Sequence, residues 1–265
     1  MHADLLEIAR STALAAGELI VRRRSEGVEV AASKSSSVDI VTHTDRESEK
    51  LIRDMLAEAR PDDGFFGEES DASESSSGLH WIVDPIDGTV NFLYGIPHYA
   101  VSIGVVEGSP DPLTWRALAG CVVSPAVGEV FTATEGGGAY LGTSRLEVAP
   151  AVSLEQALIG TGFAYDSGMR GRQGAAVAQL LPHVRDIRRM GTASLDLCAV
   201  ASGRLNAYFE RTLSPWDHAA GALIAREAGA RVTGRGGAAP SRDFILAAAP
   251  ELAELLEATL DEIGA

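Results

Sequence analysis

The sequence predicts a layered, mixed α/β protein of the α+β kind. Apolar runs of strand length cluster in the middle of the chain, strand-like and helix-like runs alternate later, and the N-terminal region shows helical periodicity. Elements in that order bury their apolar faces by stacking in layers. A chain of 265 residues corresponds to roughly one or two domains. We expect a division into an N-terminal half, residues 1–147, and a C-terminal half, residues 148–265.

The elements follow from the hydrophobic pattern. Between Leu5 and Ile20 apolar residues recur every three or four positions, which is typical of an amphipathic helix. A second helix is expected from about Asp45 to Arg60, where Pro61 closes it. Further helical patterns cover 174–181, 192–201, 217–228 and 251–263, and strand-like runs cover 81–83, 100–106, 117–123, 129–132, 157–161, 205–209 and 244–248. The serine-rich stretch 71–78 predicts a surface loop.

The charge balance excludes some partners. Against 37 acidic residues the chain has 22 basic ones, a net charge of −15. Direct nucleic-acid binding and docking on an anionic membrane both need a basic excess, so neither is expected. No apolar run is long enough to span a membrane and no signal peptide is recognisable, so we expect a cytoplasmic protein with both cysteines reduced. A small anion remains a possible ligand if metal ions reverse the charge of one pocket.

The most informative stretch is 81–92, in which two aspartates follow an apolar strand. We expect the strand to stop at Asp84, with Pro85 and Gly88 shaping a turn that brings together Asp84, Asp87 and the carbonyl of Ile86. Hard cations such as Mg²⁺ prefer such oxygen ligands. The step from Gly88 to Thr89 can start a helix whose free amides face an anion.

Three further carboxylates lie where predicted elements begin or end. Asp45 follows a strand-like run, Glu68 follows Phe65 and Phe66, and Asp217 opens a helix. Taken singly, Asp45 and Asp217 are equally well explained as helix N-caps and Glu68 as a solvated loop residue. Five carboxylates at element ends, including Asp84 and Asp87, form a pattern that capping does not predict.

Chemistry favours metal at this cluster. Carboxylates packed together repel one another, and divalent cations remove that conflict while creating a positive site for a phosphate dianion. Neither cysteine has a neighbouring histidine and no Gly-x-Ser-x-Gly motif is present, so water activated by metal is favoured over a side-chain nucleophile.

These motifs carry a family resemblance. Glu68-Glu69-Ser70, Asp84-Pro85-Ile86-Asp87-Gly88-Thr89 and Trp216-Asp217-His218-Ala219-Ala220-Gly221 resemble, in order and spacing, the motif set of the inositol monophosphatase family. The runs 88–104 and 188–210 most resemble its bacterial SuhB-type members. The resemblance implies a five-layered αβαβα sandwich of the sugar-phosphatase type, Mg²⁺-dependent hydrolysis of a phosphate monoester, inhibition by Li⁺ and a homodimer.

The resemblance also implies two to three Mg²⁺ ions. Glu68, Asp84 and the Ile86 carbonyl would hold the first ion. Asp84, Asp87 and Asp217 would hold the second, and Glu68 with waters would hold a weaker third. The implied catalytic residues are Asp45, Glu68 and Thr89, of which Asp45 and Thr89 orient the attacking water. The implied substrate contacts are Asp87, Gly88, Thr89, Gly191, Thr192, Ala193 and Glu210.

One motif departs from the family. Lys34-Ser35-Ser36-Ser37 stands where members often have Lys-Ser-Ser-Pro. Without the proline the loop is expected to be more mobile, so it stays undecided whether Lys34 contacts the site.

Myo-inositol 1-phosphate is the leading substrate, because a carboxylate such as Glu210 can accept two hydroxyl hydrogens of a diol. The alternatives are the same chemistry on fructose 1,6-bisphosphate, histidinol phosphate or NADP, and an accessory role in transcription or ribosome assembly.

Overall fold

The computed structural model describes residues 2–33 and 40–264. Lys34 lies outside the described residues, so its expected contact with the site stays a prediction. The seven α-helices described are α1 His2–Glu26, α2 His43–Ala59, α3 Thr89–Tyr94, α4 Ser167–Leu180, α5 Ala193–Ala201, α6 Pro215–Glu227 and α7 Pro250–Glu262. Short 3₁₀ turns cover Leu154–Gln156, Leu181–His183 and Arg235–Gly237.

The strands of the described residues form three sheets. A hairpin consists of β1 Val30–Ser33 and β2 Ile40–Thr42. A seven-stranded sheet has its strands in sequence order: β3 Gly64–Gly67, β4 Leu79–Asp87, β5 Ala100–Glu107, β6 Arg116–Ser124, β7 Glu129–Thr134, β8 Gly138–Leu141 and β9 Ser144–Arg145. A five-stranded sheet has the order β11-β10-β12-β14-β13, with β10 Leu158–Thr161, β11 Asp186–Arg188, β12 Ala207–Glu210, β13 Arg231–Thr233 and β14 Ile245–Ala248.

Five layers stack in the order αβαβα, which confirms the expected sandwich. Helices α1 and α2 cover one face of the seven-stranded sheet, and α5 and α6 lie between the two sheets. Helices α4 and α7 cover the outer face of the five-stranded sheet. Each layer buries an apolar face against the next, as amphipathic elements require.

The largest buried cluster lies between the sheets. It joins Phe131 of β7, Leu197 of α5, Tyr208 of β12 and Leu223 of α6. Outer clusters form beneath α1 and α2 and beneath α4 and α7. The two sheets take their strands from either side of residue 147, yet the cluster between them draws on both halves. The division into two domains therefore stays a prediction.

Two expected boundaries are wrong. Strand β4 does not stop at Asp84 but continues to Asp87, because β5 keeps pairing with it as far as Ala100. Helix α4 begins at Ser167, seven residues before the expected start at 174, because the Asp166 side chain caps it by accepting the N–H of Met169 at 2.7 Å. In the part of the chain that the structure describes, every helix is too short or too polar to cross a membrane.

Candidate active site

A β-bulge places the two aspartates of β4. Asp84 pairs with Ser102 and Asp87 with Ala100, so three steps along β4 oppose two along β5. In a regular strand, residues three apart point to opposite faces of the sheet. The extra residue cancels that alternation, and bulges of this kind re-aim side chains next to active sites. Asp84 and Asp87 are both buried, and Asp84 accepts the N–H of Ile86 at 3.0 Å.

Gly88 makes the turn from β4 into α3. Its φ of 91° lies in the left-handed region, and a Cβ at this position would collide with Oγ1 of Thr192. Only glycine satisfies both conditions. Thr89 then begins α3, and the first N–H groups of a helix have no acceptor within the helix. The predicted turn and helix start are therefore present at the end of β4, and binding of an anion there stays a prediction.

Asp45 lies opposite Thr89 and is completely buried. It is the third residue of α2, and Thr42 is the N-cap, so the alternative reading of Asp45 as the cap itself is wrong. Its Oδ2 accepts the Thr42 N–H at 2.8 Å and the Thr42 hydroxyl, and its Oδ1 accepts the Thr89 hydroxyl at 3.1 Å. Burial raises the pKa of Asp45 to about 6, although the hydrogen bonds from Thr42 and Thr89 act to lower it.

The loop after β3 carries Glu68 and is held by a residue that the sequence patterns did not single out. Glu49 of α2 is buried and accepts the backbone N–H of Glu69 at 2.8 Å and the hydroxyl of Ser70. A Cβ at Gly67 would collide with the Glu49 carboxylate. The available signal was its spacing, because Glu49 lies three residues before Ile52 and so on the same side of α2.

Asp87 connects strand β4 of the seven-stranded sheet to helix α5, which lies between the two sheets. Its Oδ2 accepts both the N–H and the hydroxyl of Ser194, at 2.7 and 2.5 Å, at the start of α5. Burial raises the pKa of Asp87 to about 6, the Ser194 bonds act against that rise, and the charge of Glu68 adds to it. The predicted loop 191–193 is therefore next to the β4 turn, where the Thr192 hydroxyl also donates to the His98 carbonyl at 2.9 Å.

Asp217 is the third residue of α6, so it is not the N-cap, which is Ser214. Its Oδ2 accepts the Ser214 N–H at 2.6 Å. The side chain is partly exposed, but the surrounding protein removes enough water to raise the pKa of Asp217 well above its ordinary value. The charges of Glu68 and Asp87 raise it further. Asp217 is therefore close enough to Glu68 and Asp87 for their charges to act on it.

Glu210 ends β12 against Gly162, where any Cβ would collide with its carboxylate. Burial raises the pKa of Glu210 to about 7, although a hydrogen bond from the Tyr208 hydroxyl and the charge of Arg189 both act to lower it.

Sequence patterns missed Asp196 of α5. This residue is 1% exposed, and its Oδ1 has no hydrogen-bond partner among the described residues. Its pKa is raised by burial and by the charges of Glu210 and Asp87. An acid within the apolar run 195–200 was the available signal.

The carboxylate oxygens present are of the kind that a hard cation prefers, although they are not arranged as a complete set of metal ligands. Within residues 2–33 and 40–264, no three His, Cys, Asp or Glu side chains are arranged to hold a metal ion together. Oxygens of Asp87 and Asp217 are instead bonded to Ser194 and Ser214. Among the described residues neither aspartate forms a salt bridge with Lys or Arg, while nearby carboxylates raise both pKa values. Carboxylates gathered without a cation favour binding of one.

The five-layered sandwich, with carboxylates where β4 ends and where α6 begins, defines the sugar-phosphatase class of fold. Solved structures agree. The structure is similar to Mycobacterium tuberculosis SuhB with a TM-score of 0.82 and 42% identity, covering 98% of this chain and 97% of that one. Its likeness to Thermotoga maritima IMPase has a TM-score of 0.88 and 29% identity, over 98% of both chains.

The profile of the inositol monophosphatase family matches residues 1–265, and the chain belongs to this family. The family uses divalent metal ions. Inositol-1-monophosphatase SuhB of Mycobacterium tuberculosis is 44% identical over 256 residues, which cover 92% of this chain and 86% of the relative. A Vibrio cholerae relative named Nus factor SuhB is 37% identical over 235 residues, covering 88% of this chain and 85% of that protein.

Proposed function

We propose that the protein hydrolyses phosphate monoesters with Mg²⁺, and that myo-inositol 1-phosphate is its main substrate. The observation that carries the proposal is the cluster of Glu68, Asp87 and Asp217 beside the turn at Gly88, in which the charge of Glu68 raises the pKa values of both aspartates. Similar proteins named inositol-1-monophosphatase support the substrate. Fructose 1,6-bisphosphate, histidinol phosphate and NADP are the alternatives.

The carboxylates divide between the expected ions. Glu68, Asp84 and the Ile86 carbonyl are proposed ligands of a first Mg²⁺, and Asp84, Asp87 and Asp217 of a second, with a weaker third ion at Glu68. Bound Mg²⁺ polarises the phosphoryl group, supports the leaving oxygen and lowers the pKa of a bound water. The bulge in β4 supports this division because it turns Asp84 and Asp87 toward the same side.

Residues of this chain orient the other reactants. Asp45 accepts the Thr89 hydroxyl at 3.1 Å, so the pair can align a water for attack on phosphorus. The N–H groups of Gly88 and Thr89 face the phosphate oxygens at the start of α3. The loop Gly191–Ala193, tied to the 88–98 segment through His98, closes the same pocket from the α5 side. Glu210 accepts hydroxyl hydrogens of the polyol.

Phosphate release from a panel of monoesters tests the proposal, with Mg²⁺ titrated and Li⁺ added. We expect Mg²⁺-dependent turnover that Li⁺ inhibits, with myo-inositol 1-phosphate preferred. Asp87→Asn should remove most of kcat, because a ligand of the second ion acts chiefly on the leaving oxygen. Asp71→Asn, on the exposed loop after β3, is the matched control. Wild-type turnover in Asp87→Asn, or no Mg²⁺-dependent turnover at all, would refute the proposal.

A second function is favoured by the names of two relatives. Besides the Vibrio cholerae protein, a Neisseria meningitidis relative that is 38% identical over 257 residues is named putative Nus factor SuhB. We propose an accessory role in transcription or ribosome assembly as the alternative. To test this role, a bacterial lysate is passed over the immobilised protein at physiological salt. Retention of RNA polymerase supports the role, and failure to retain RNA polymerase counts against it.

Two other expectations have their own tests. Light scattering tests the expected homodimer, and a gel-shift assay tests the expected lack of nucleic-acid binding.

A further inference from the structure

Helix α2 contacts both chain segments that carry the proposed ligands of the first ion. Ser48, which is buried, donates its hydroxyl to the Pro85 carbonyl at 3.2 Å, inside the bulge of β4. Glu49, the next residue of α2, contacts the loop after β3 that carries Glu68. A helix keeps successive residues at a fixed spacing. The bulge and the loop are therefore both attached to one regular element.

Both neighbours of Glu68 lie against the same carboxylate. The Gly67 backbone approaches Glu49 so closely that a Cβ at this glycine would collide with Oε2 of the glutamate. On the other side of Glu68, the Glu69 N–H donates to that Oε2 at 2.8 Å. Glu49 is 2% exposed, so water does not readily replace a hydrogen bond that is lost there. The backbone before and after Glu68 is therefore fixed to α2 by contacts within the protein.

A chain of hydrogen bonds extends this attachment along the loop. The Ser70 hydroxyl donates to Oε1 of Glu49 and accepts a hydrogen bond from Nη2 of Arg53 at 2.6 Å. The same Nη2 donates to the Asp71 carbonyl at 2.7 Å. The Arg53 guanidinium also lies over the Phe65 ring of β3, with its carbon 4.1 Å from the ring centroid, which limits its freedom. Glu49 and Arg53, four residues apart on one side of α2, therefore hold residues 69–71 together.

We propose that Glu49 and Arg53 are positioning residues, which set the affinity for the first Mg²⁺ by fixing the Glu68 loop to α2 before the ion binds. The inference rests on the proposed function, because it takes Glu68 as a ligand of that ion. A group that is already held in its bound position loses little conformational freedom on binding. Residues that orient a ligand typically change metal affinity by about 10- to 100-fold. Neither Glu49 nor Arg53 needs to contact the ion or the substrate for this effect.

The test measures Mg²⁺ binding without substrate, by isothermal titration calorimetry, and amide hydrogen exchange of residues 67–71 in EDTA. We expect Glu49→Ala to weaken Mg²⁺ binding by about tenfold or more and to speed exchange of these amides. Glu49→Gln lacks the same charge but keeps an oxygen for the Glu69 N–H, so it should recover most of the affinity. Glu58→Gln, at an exposed position of α2, is the control and should bind Mg²⁺ as wild type does.

Changes at the outer bonds test the attachment without altering Glu49. Ser70→Ala changes no charge and should weaken Mg²⁺ binding by about threefold, the scale of one hydrogen bond, while Ser70→Thr should restore it. Arg53→Gln should resemble Ser70→Ala, with Arg46→Gln on the exposed side of α2 as its control. Combining Ser70→Ala with Glu49→Ala should cost less than the sum of the two single changes, because both remove one shared bond. At saturating Mg²⁺, kcat should stay close to that of wild type in each single variant.

The outcomes separate positioning from stability and from charge. Unchanged Mg²⁺ affinity in a folded Glu49→Ala overturns the proposal and leaves these residues a role in stability alone. A loss in Glu49→Gln as large as in Glu49→Ala also overturns it, because charge then decides the affinity. If Glu49→Ala does not fold, Ser70→Ala decides, and wild-type affinity in that variant overturns the proposal.

The same measurements distinguish this proposal from the proposed function. If the variants weaken Mg²⁺ binding as expected but wild type releases phosphate from no monoester, the proposed function fails and the positioning role stands. If Glu68→Gln leaves Mg²⁺ binding unchanged, Glu68 is not a ligand and the positioning role fails, while Mg²⁺-dependent turnover by wild type still supports the proposed function.

Discussion

Asp45 and Asp217 occupy the same local position in the two halves of the molecule. Each is the third residue of a helix and accepts the N–H of the N-cap residue, Thr42 at 2.8 Å and Ser214 at 2.6 Å. Their remaining neighbours differ. Asp45 faces hydroxyl donors, whereas Asp217 faces the carboxylates of Glu68 and Asp87.

The difference shows how one piece of local structure can serve two chemical tasks. Bonds from Thr42 and Thr89 hold the rise in the pKa of Asp45 to a value of about 6. Asp217 is surrounded by negative charge and its pKa is raised further from its ordinary range by Glu68 and Asp87. Donors suit a carboxylate that orients a hydroxyl or a water, and neighbouring carboxylates suit one that shares a cation.

The largest effect is expected at Asp217. Asp217→Asn keeps an oxygen for the Ser214 N–H but removes the negative charge, so kcat should fall by about 10³-fold because cation binding is weakened. The concentration of Mg²⁺ that gives half-maximal activity should rise in the same variant. Both are measured by phosphate release over a Mg²⁺ titration. Full activity at ordinary Mg²⁺ concentration in Asp217→Asn would remove the distinction between the two aspartates.

A smaller loss is expected at Asp45. Asp45→Asn should lower kcat by about 10²-fold, the usual scale for a group that assists proton transfer. The half-maximal Mg²⁺ concentration should stay close to that of wild type, because this carboxylate is proposed to orient water rather than to bind the ion. Thr89→Val should resemble Asp45→Asn, and Thr89→Ser, which keeps the hydroxyl, should recover activity. A raised Mg²⁺ requirement in Asp45→Asn would show that both aspartates bind metal.

The smallest effect concerns stability without metal. Because the folded-state pKa of Asp217 is raised, the unfolded chain ionises first as pH increases, and folding loses stability above the ordinary carboxyl pKa. Asp217→Asn in EDTA should therefore gain on the order of 1 kcal/mol over wild type at pH 8 and less at pH 4.5, with solvent exposure limiting the gain. Denaturant unfolding at both pH values measures it. A larger gain at pH 4.5 would contradict the sign.

The fold could largely be predicted from hydrophobic periodicity, since the long strands β5, β6 and β7 and the helices α1 and α2 lie close to their expected positions. Strands such as β11 and β13 were missed because three residues are too few to show alternation. The end of β4 was misplaced because proline and glycine signal a turn, whereas pairing with β5 extends the strand through a bulge. Tertiary pairing overrode local preference there.

Within the candidate site, residues in compact motifs were predictable and supporting residues were not. Asp84 and Asp87 stood out because they follow an apolar strand three residues apart, and Asp217 stood out because it opens a predicted helix. Glu49 and Asp196 did not, because each is a single acid in a helical pattern and only the fold shows its burial. The roles proposed for the motif residues stay predictions until the variants above are measured.

The bond between Ser194 and Asp87 joins residues 107 positions apart and has a consequence for folding kinetics. Contacts at such separation close late, after the sheets and α5 have met, because loop closure costs entropy before any contact is gained. An unfolded chain then offers a divalent cation only scattered carboxylates. A divalent cation that binds these carboxylates is therefore expected to act after they have come together, so it should slow unfolding and leave the rate of folding almost unchanged.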